Sequence, residues 1–349
     1  MCCKGAIAMA SRLKKRRRAS PLVRVLKVLY ILLVIVSVVI VGAFAAYQVF
    51  IGPPDVEDQV TFPITTSPQP SQDVTTTQEP EATPSDDVVV YTRREGVYTC
   101  LLLGVADMGG SDTIMLGCFD TNNKTASLIS IPRDTLAEHN GKDSKINAIY
   151  NYSDGGAEGM ARKVSEMLGV PVDYYMSVDL DAFEKIVETI GGVYFDVPVD
   201  MDYEDPLQDL YIHIDAGYQK LNGKQAVGVM RCRSCYTSAD IGRTETQRKF
   251  LTALVSQTIT ISNVTKVTEL INILNEYVET DMPLDTMIYF ATQAVGMDLD
   301  TALKTDVLPG EWVAPYYELD PEAVLELVNE LLPVYTEPIT ADIQNIRQR

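Results

Sequence analysis

Arginine placement is the feature of this chain that most strongly indicates chemistry. Arg231 and Arg233 lie two residues apart in the run AVGVMRCR. That run has the composition of a buried strand, so both side chains are predicted on one strand face. Arg243 and Gln247 lie four residues apart at the start of the next predicted helix and share one face of it. Guanidinium groups and an amide around one point suit the many oxygens of a phosphate; the alternative is simple pairing with surface carboxylates.

A second group of candidates lies where predicted strands end. Arg133 and Asp134 follow the run SLISIP, whose proline stops the strand, and open α/β sheets commonly bind ligands at such ends. Asp134 either orients Arg133, contacts a substrate hydroxyl, or is a turn residue. Asp107 and Asp112 flank a Gly-Gly pair in the loop between the first two strands. Carboxylates with room for water suit Mg²⁺ that bridges phosphate oxygens, although loop acids are more often only solvated.

Several familiar catalysts are excluded by the sequence. The stretch GGSDT lacks the final glycine of a nucleophile elbow, and GYQKLNGKQ lacks the hydroxyl residue of a P-loop. Cys232 and Cys235 form a single C-x-x-C, and zinc would need two further ligands. The only histidines, His139 and His213, have no metal-like spacing. A core thiol at Cys232 is therefore predicted, with a local disulfide as the alternative.

Charge is distributed very unevenly along the chain. Residues 1–51 hold nine of the 29 Lys and Arg residues and no Asp or Glu, which leaves 20 bases against 48 acids in the rest. So acidic a region lacks the basic footprint that nucleic-acid phosphates require. We therefore predict no nucleic-acid partner, and any phosphate ligand must be bound by a local cluster of bases.

The N-terminal region predicts a single membrane anchor. Residues 29–51 are 23 residues without a charge, enough for a helix to cross the hydrocarbon core of about 30 Å. The preceding RLKKRRR cluster predicts that residues 1–28 form a cytoplasmic tail and that the rest lies outside the cell membrane. A cleaved signal peptide is the alternative. Residues 52–94 are rich in Pro, Thr, Ser and acids, which predicts an extended, disordered stalk.

Short apolar runs and amphipathic segments alternate after the stalk. We predict an α/β fold in which a mixed central β-sheet carries helices on both faces. A catalytic domain is expected over residues 95–260 and a helical C-terminal extension over residues 261–349. The predicted helices are 157–168, 181–190, 243–259, 264–278, 284–297 and 321–332; the predicted strands begin at Tyr98 and recur at 172–178, 193–198 and 225–233.

These segments occur in an order that resembles the LytR–CpsA–Psr family from Tyr98 to about Leu254. The motifs that carry the resemblance are LLLGVAD, GGSDTIML, ASLISIPRDT, KINAIY, VDYYMSVDLDAF, IGGVYFDVP, LNGKQAVGVMRCR and ADIGRTETQ. The resemblance implies a phosphotransferase that moves a glycopolymer from a polyprenyl-pyrophosphate carrier to peptidoglycan, with a possible pyrophosphatase side activity. A non-catalytic membrane-anchored binder of such polymers, or a membrane-bound regulator, is the alternative.

The resemblance also implies roles for individual residues. Mg²⁺ would be bound by Asp112, and the pyrophosphate by Arg133, Arg231, Arg233, Arg243 and Gln247. Catalytic roles are expected for Arg133, Arg231, Arg233 and Asp134, with Asp134 and Asp107 as candidate general bases.

The chain departs from the family pattern at three positions. Ala106 stands where relatives commonly have an acid, and Gly110 and Thr246 stand where arginines are common. We predict that the neighbouring Asp107 completes the Mg²⁺ site with Asp112.

Overall fold

The computed structural model describes residues 52–63, 88–105, 110–206, 210–236, 240–258 and 267–349. The predicted cytoplasmic tail and membrane anchor, residues 1–51, lie outside this part of the chain. Within the described ranges, no helix is both long enough and apolar enough to cross a membrane. The described residues from Pro53 to Arg349 belong to one compact unit.

Strands and helices interleave along the described chain. The strands are β1 (Gln59–Pro63), β2 (Val88–Thr92), β3 (Val97–Val105), β4 (Ser111–Asp120), β5 (Thr125–Ser130), β6 (Leu136–His139), β7 (Lys142–Lys145), β8 (Tyr174–Val178), β9 (Val193–Val197), β10 (Met201–Asp205), β11 (Leu210–Ile214), β12 (Gly217–Leu221), β13 (Val278–Thr280), β14 (Leu303–Val307), β15 (Gly310–Val313) and β16 (Tyr316–Leu319). The α-helices are α1 (Ile146–Ile149), α2 (Gly156–Leu168), α3 (Leu180–Ile190), α4 (Gly223–Arg231), α5 (Asp240–Thr258), α6 (Val267–Tyr277), α7 (Leu284–Ala294), α8 (Leu299–Ala302) and α9 (Pro321–Leu331).

Six strands form the central sheet in the order β13-β8-β3-β4-β5-β14. The β8–β3 and β5–β14 pairs are parallel and the other neighbours are antiparallel. The sheet is therefore mixed, as predicted.

Alternating side chains of β3 explain why helices cover both faces of this sheet. Leu101 and Leu103 belong to a buried apolar cluster that also contains side chains of α2 and α9. Tyr98 points to the opposite face. There its ring meets Phe290 of α7 at a centroid distance of 5.0 Å. Two faces covered by helices confirm the predicted architecture.

A second apolar cluster lies in the region between β8 and α6. Phe183 of α3, Phe195 of β9 and Phe250 of α5 form its aromatic centre, with Phe195 and Phe250 centroids 5.1 Å apart. Side chains of β10, β11, β12 and α4 complete the cluster. The strands here pair as two small ladders, β9 with β12 and β10 with β11.

Most predicted helices are confirmed, but the predicted strand at 225–233 is wrong. Residues 223–231 form α4, whose N-terminus is closed by a capping box between Asn222 and Gln225. The Asn222 side chain accepts from the Gln225 N–H, and the Gln225 side chain accepts from the Asn222 N–H. These reciprocal bonds satisfy two amides at the helix N-terminus, and so favour helix over strand. The argument that Arg231 and Arg233 share a strand face fails with it.

The stalk prediction is wrong at both described ends of residues 52–94. Gln59–Pro63 and Val88–Thr92 pair as antiparallel strands. Tyr91 is buried, and its ring lies 5.0 Å from that of Tyr335. Burial of this aromatic ring stabilises the folded segment, although the composition of residues 52–94 is mostly polar. Residues 64–87 lie outside the described part.

The C-terminal segment is less purely helical than predicted. It supplies the two outer strands of the central sheet, with β13 paired to β8 and β14 paired to β5. Helix α9 contributes Val324 and Val328 to the same cluster as Leu101. The described residues on either side of residue 260 therefore share one sheet and one core.

Candidate functional site

Asp112 and Arg133 meet at the edge of the central sheet that is formed by strand ends, where β4 begins and β5 has ended. Asp112 is the second residue of β4, and Arg133 follows the last residue of the antiparallel β5 by three positions. The Arg133 guanidinium donates to the Asp112 carboxylate through Nη1 and Oδ1. The Arg133 side chain is 20% exposed and that of Asp112 is 41% exposed. A charged pair that stays open to solvent at a strand end is placed to meet a ligand.

The turn that carries Arg133 is fixed by main-chain hydrogen bonds. The Thr135 N–H donates to the Pro132 carbonyl at 3.0 Å. The Arg133 carbonyl accepts from the Asn147 N–H at 3.2 Å, and the Thr135 carbonyl accepts from the Ile146 N–H at 2.9 Å. Helix α1 thus holds this turn from one side.

Lys145 is a site residue that the sequence interpretation missed. Its ammonium lies 2.8 Å from Asp134 Oδ1, while Arg133 Nε lies 3.8 Å from Asp134 Oδ2. Asp134 therefore lies between two cations. Of the roles considered for Asp134, this geometry supports orienting Arg133. The available signal was the KINAIY run, which begins at Lys145. We refer to Asp112, Arg133, Asp134 and Lys145 as the sheet-edge group.

The remaining predicted phosphate ligands lie around the junction of α4 and α5. Arg231 is the last residue of α4, and its charge is favourable near the negative end of the helix dipole. Cys232 and Cys235 form a disulfide that encloses Arg233. The prediction of a core thiol at Cys232 is wrong, and the alternative, a local disulfide, is confirmed.

Arg243 and Gln247 are much less accessible than predicted. Both are only 3% exposed. The Gln247 amide donates to the Met230 carbonyl at 2.9 Å, which fastens α5 to the last turn of α4. One N–H of the Gln247 amide, which was predicted to bind phosphate, therefore donates to the protein itself. We refer to Arg231, Arg233, Arg243 and Gln247 as the α4–α5 group; its convergence with the sheet-edge group on one anion stays a prediction.

Two departures from the family pattern have structural counterparts. Gly110 has φ +91°, a left-handed conformation that favours glycine over arginine, and its N–H donates to the Asn151 side chain at 3.0 Å. Thr246 is buried, and its hydroxyl donates to the Gly242 carbonyl at 2.9 Å. Burial raises the pKa of the nearby Tyr236 phenol. A buried arginine in place of Thr246 would displace this packing.

The residues present are compatible with Mg²⁺, although the described ranges contain no group of three His, Cys, Asp or Glu side chains that could hold a metal alone. Mg²⁺ usually takes only one or two carboxylates and completes its shell with water and substrate phosphates. The partly exposed Asp112 meets that requirement. Asp107 and Ala106 lie outside the described residues, so the prediction that Asp107 supplies a second carboxylate stays open.

Comparison with known proteins identifies the family. The model of the LytR_cpsA_psr family matches residues 64–331. The chain belongs to this family, and the match continues well beyond Leu254, where the sequence motifs end. The β13 and β14 strands thus fall within the matched region.

Individual relatives agree with this assignment. The polyisoprenyl-teichoic acid–peptidoglycan teichoic acid transferase TagU of Bacillus cereus is 30% identical over 268 residues, or 75% of this chain and 81% of TagU. The transferase TagV of Bacillus subtilis is 29% identical over 247 residues, or 66% of this chain and 63% of TagV. The chain thus spans less than two thirds of TagV in sequence. A crystal structure of B. subtilis TagV has a TM-score of 0.60 and 27% identity, covering 69% of this chain and 97% of that one.

Proposed function

We propose that this protein is a membrane-anchored phosphotransferase that moves an anionic glycopolymer from a polyprenyl-pyrophosphate carrier to peptidoglycan. Family membership and the names of TagU and TagV support this reaction class. The observation that carries it is the sheet-edge group, where Arg133 is held between Asp112 and Asp134 at the end of β5. We infer a teichoic-acid-type donor because the relatives carry that name.

Transfer requires one bond to form and one to break at the same phosphorus. An acceptor hydroxyl oxygen of peptidoglycan bonds to the glycan-bearing phosphorus, and the bond from that phosphorus to the bridging oxygen breaks. The polyprenyl phosphate leaves with the bond's electron pair, and the hydroxyl proton passes to a base. Phosphoryl transfer of this kind depends mainly on positioning and on stabilising charge.

The residues of the sheet-edge group match those needs. We propose that Arg133 leaves Asp112 in part to donate to pyrophosphate oxygens, since its guanidinium has five N–H donors. Lys145 and Arg133 face different oxygens of Asp134, so the Asp134 carboxylate attracts the guanidinium from the side opposite its own contact with Lys145. Mg²⁺ bound to Asp112 would neutralise charge on the phosphate oxygens.

The α4–α5 group would supply further cations to the pyrophosphate. We propose that Arg231 and Arg233 contact it directly, while the buried Gln247 positions Arg231 through the Met230 carbonyl. Asp134 contacts two cations, which makes it a poor proton acceptor, and we propose Asp107 as the general base.

Transfer activity of the full-length protein in detergent tests the proposal. A lipid-pyrophosphate glycan and peptidoglycan oligomers are incubated with the protein, and mass spectrometry follows the joined product and the released polyprenyl phosphate. We expect both products, their loss with EDTA, and slow release of lipid phosphate to water when acceptor is omitted. If the protein binds the lipid-pyrophosphate glycan but releases no polyprenyl phosphate with any divalent metal ion, the result supports the non-catalytic binder instead.

Membrane orientation is a separate part of the proposal. The basic cluster before residue 29 predicts an N-terminus in the cytoplasm and a catalytic domain outside. Protease added to intact protoplasts should digest the domain and spare an N-terminal tag. Digestion of the tag with survival of the domain would refute this orientation.

A further inference from the structure

The β15–β16 hairpin carries the only tryptophan of the chain, Trp312, beside the sheet-edge group. Trp312 is 59% exposed. The Lys145 ammonium lies 5.8 Å from the centre of its ring and 2.8 Å from Asp134. Two side chains, Lys145 and Asp134, therefore lie between the indole and Arg133.

Main-chain bonds fix the hairpin to the same turn that carries Arg133. The Tyr317 N–H donates to the Asp134 carbonyl at 2.9 Å, and Tyr317 pairs directly with Trp312 across the hairpin. The Tyr317 hydroxyl donates to the Leu308 carbonyl at 3.2 Å. Through Tyr317, these contacts fix the position of the Trp312 backbone relative to Asp134.

The exposure of Trp312 is unexpected for the face on which it lies. Directly opposed residues of antiparallel strands share a face, as do residues two positions apart. Trp312 therefore shares a face with Tyr317 and with Leu319, which is buried. All four residues of β15 are exposed, and Trp312 is among them although its face also carries the buried Leu319. An exposed indole beside a charged site is available to contact a ligand that binds at that site.

The far side of the hairpin is held by the C-terminal residues. Arg349 donates to the Val313 carbonyl at 3.0 Å and bonds Glu318 at 2.7 Å, and its guanidinium lies 5.0 Å from the Tyr316 ring centre. Arg347 bonds Asp143 at 2.9 Å. These contacts give Trp312 a fixed support, which lowers the entropy lost when a ligand packs on it.

We propose that Trp312 is the stacking surface for a pyranose ring of the lipid-linked donor, so that it recognises the glycan beside the pyrophosphate. This inference rests on the proposed function. A pyranose presents apolar C–H faces and polar edges, which match an aromatic ring flanked by an ammonium and carboxylates. The first donor sugar is joined covalently to the pyrophosphate. A side chain that binds this sugar must therefore lie close to the side chains that bind the pyrophosphate, as Trp312 lies close to the sheet-edge group.

Intrinsic fluorescence reads this contact directly because Trp312 is the only indole. The full-length protein in detergent is titrated with a short-chain polyprenyl pyrophosphate carrying a disaccharide, and with the same lipid without sugar. We expect the glycosylated lipid alone to shift or quench the tryptophan emission. A muropeptide serves as a third ligand, and an emission change with it alone would overturn the assignment to the donor.

Calorimetry on variants measures the contribution of the ring. Trp312→Ala should weaken binding of the glycosylated lipid by about three- to tenfold, the range for one aromatic contact, and leave the sugar-free lipid unchanged. Trp312→Phe should recover part of the loss. Tyr218→Ala is the matched control, since Tyr218 is exposed on β12 and stacks on Tyr194.

The possible failures are distinguishable. If Trp312→Ala binds both lipids as tightly as the wild type and transfers at the same rate, the inference is wrong and the proposed function stands. Equal weakening for both lipids would assign Trp312 to the pyrophosphate or the polyprenyl chain, and would also refute it. If the wild type binds neither lipid and gives no transfer, both the function and the inference fail.

Discussion

Two Arg–Asp pairs beside the central sheet are predicted to respond oppositely to mutation. Arg93 and Asp173 form a pair whose side chains are only 4% and 5% exposed. Arg133 and Asp112 form the open pair of the candidate site, at 20% and 41%. Removing a carboxylate from the first should cost stability, and removing the arginine from the second should cost activity.

The magnitudes follow from what each change leaves behind. Asp173 accepts from the Arg93 guanidinium and from the N–H and hydroxyl of Thr99. Asp173→Ala leaves a buried guanidinium without its carboxylate, which costs about 3–5 kcal/mol. Arg133→Ala leaves Asp134 still paired with Lys145 at 2.8 Å and leaves Asp112 partly solvated. Its stability cost should be about 1 kcal/mol or less.

Activity should follow the reverse order. Loss of one donor that stabilises developing charge typically lowers kcat by about 10²–10³-fold. We expect that loss for Arg133→Ala, and we expect Asp173→Ala to retain transfer in proportion to its folded fraction.

Urea unfolding and transfer assays on the same preparations separate the two effects. Arg133→Lys serves as the conservative control, since it keeps the charge without the planar fork. Equal loss of stability in Arg133→Ala and Asp173→Ala would refute the distinction, as would full transfer by Arg133→Ala.

Three further predictions concern Gln247, the Cys232–Cys235 disulfide and the buried Cys118 thiol. Gln247→Leu should cost about 1–3 kcal/mol in urea unfolding because the partly buried Met230 carbonyl loses its hydrogen-bond donor, and KM for the lipid-linked glycan should rise; an unchanged stability and KM would exclude a positioning role for Gln247. Cys232→Ser/Cys235→Ser should slow transfer, since the disulfide that encloses Arg233 is lost; a rate equal to wild type would exclude that role. Burial raises the pKa of the Cys118 thiol to about 12, so between the unfolded thiol's value of about 8.5 and that pH the native state binds more protons and stability falls as pH rises. The urea midpoint should therefore drop more steeply above about pH 8.5 than in Cys118→Ala, and parallel slopes would contradict the burial effect.

Much of the fold could be predicted from local patterns. The apolar runs of β3, β4 and β5 and the amphipathic patterns of α2 and α3 indicate these strands and helices from the local sequence alone. The error at α4 arose from its composition, because Ala226, Val227 and Val229 suit a buried strand as well as a buried helix. The Asn222-x-x-Gln225 spacing was the available discriminator, since it is the pattern of a capping box.

The site was only partly predictable, for a different reason. The strand-end argument brings Arg133 and Asp112 together because β4 and β5 are adjacent and antiparallel. Lys145 reaches Asp134 from β7. This is a tertiary contact, and the local sequence around Asp134 does not indicate which distant side chain will lie beside it. The burial of Arg243 and Gln247 likewise depends on how α5 packs against α4, which the helical spacing alone cannot give.

Distant segments also explain how the site can be rigid although it lies on a turn. Each carbonyl of residues 132–135 accepts a main-chain N–H, from Thr135, Asn147, Tyr317 and Ile146 in turn. One of these donors belongs to β16 in the C-terminal segment. Leu308, just after β14, also donates to the Ser130 carbonyl at 3.0 Å. A turn with all its carbonyls satisfied has little freedom left in its backbone, so Arg133 and Asp134 are held in place before any ligand arrives. The C-terminal segment thus forms part of the site's support, and the charge stabilisation proposed for phosphoryl transfer requires that preorganisation.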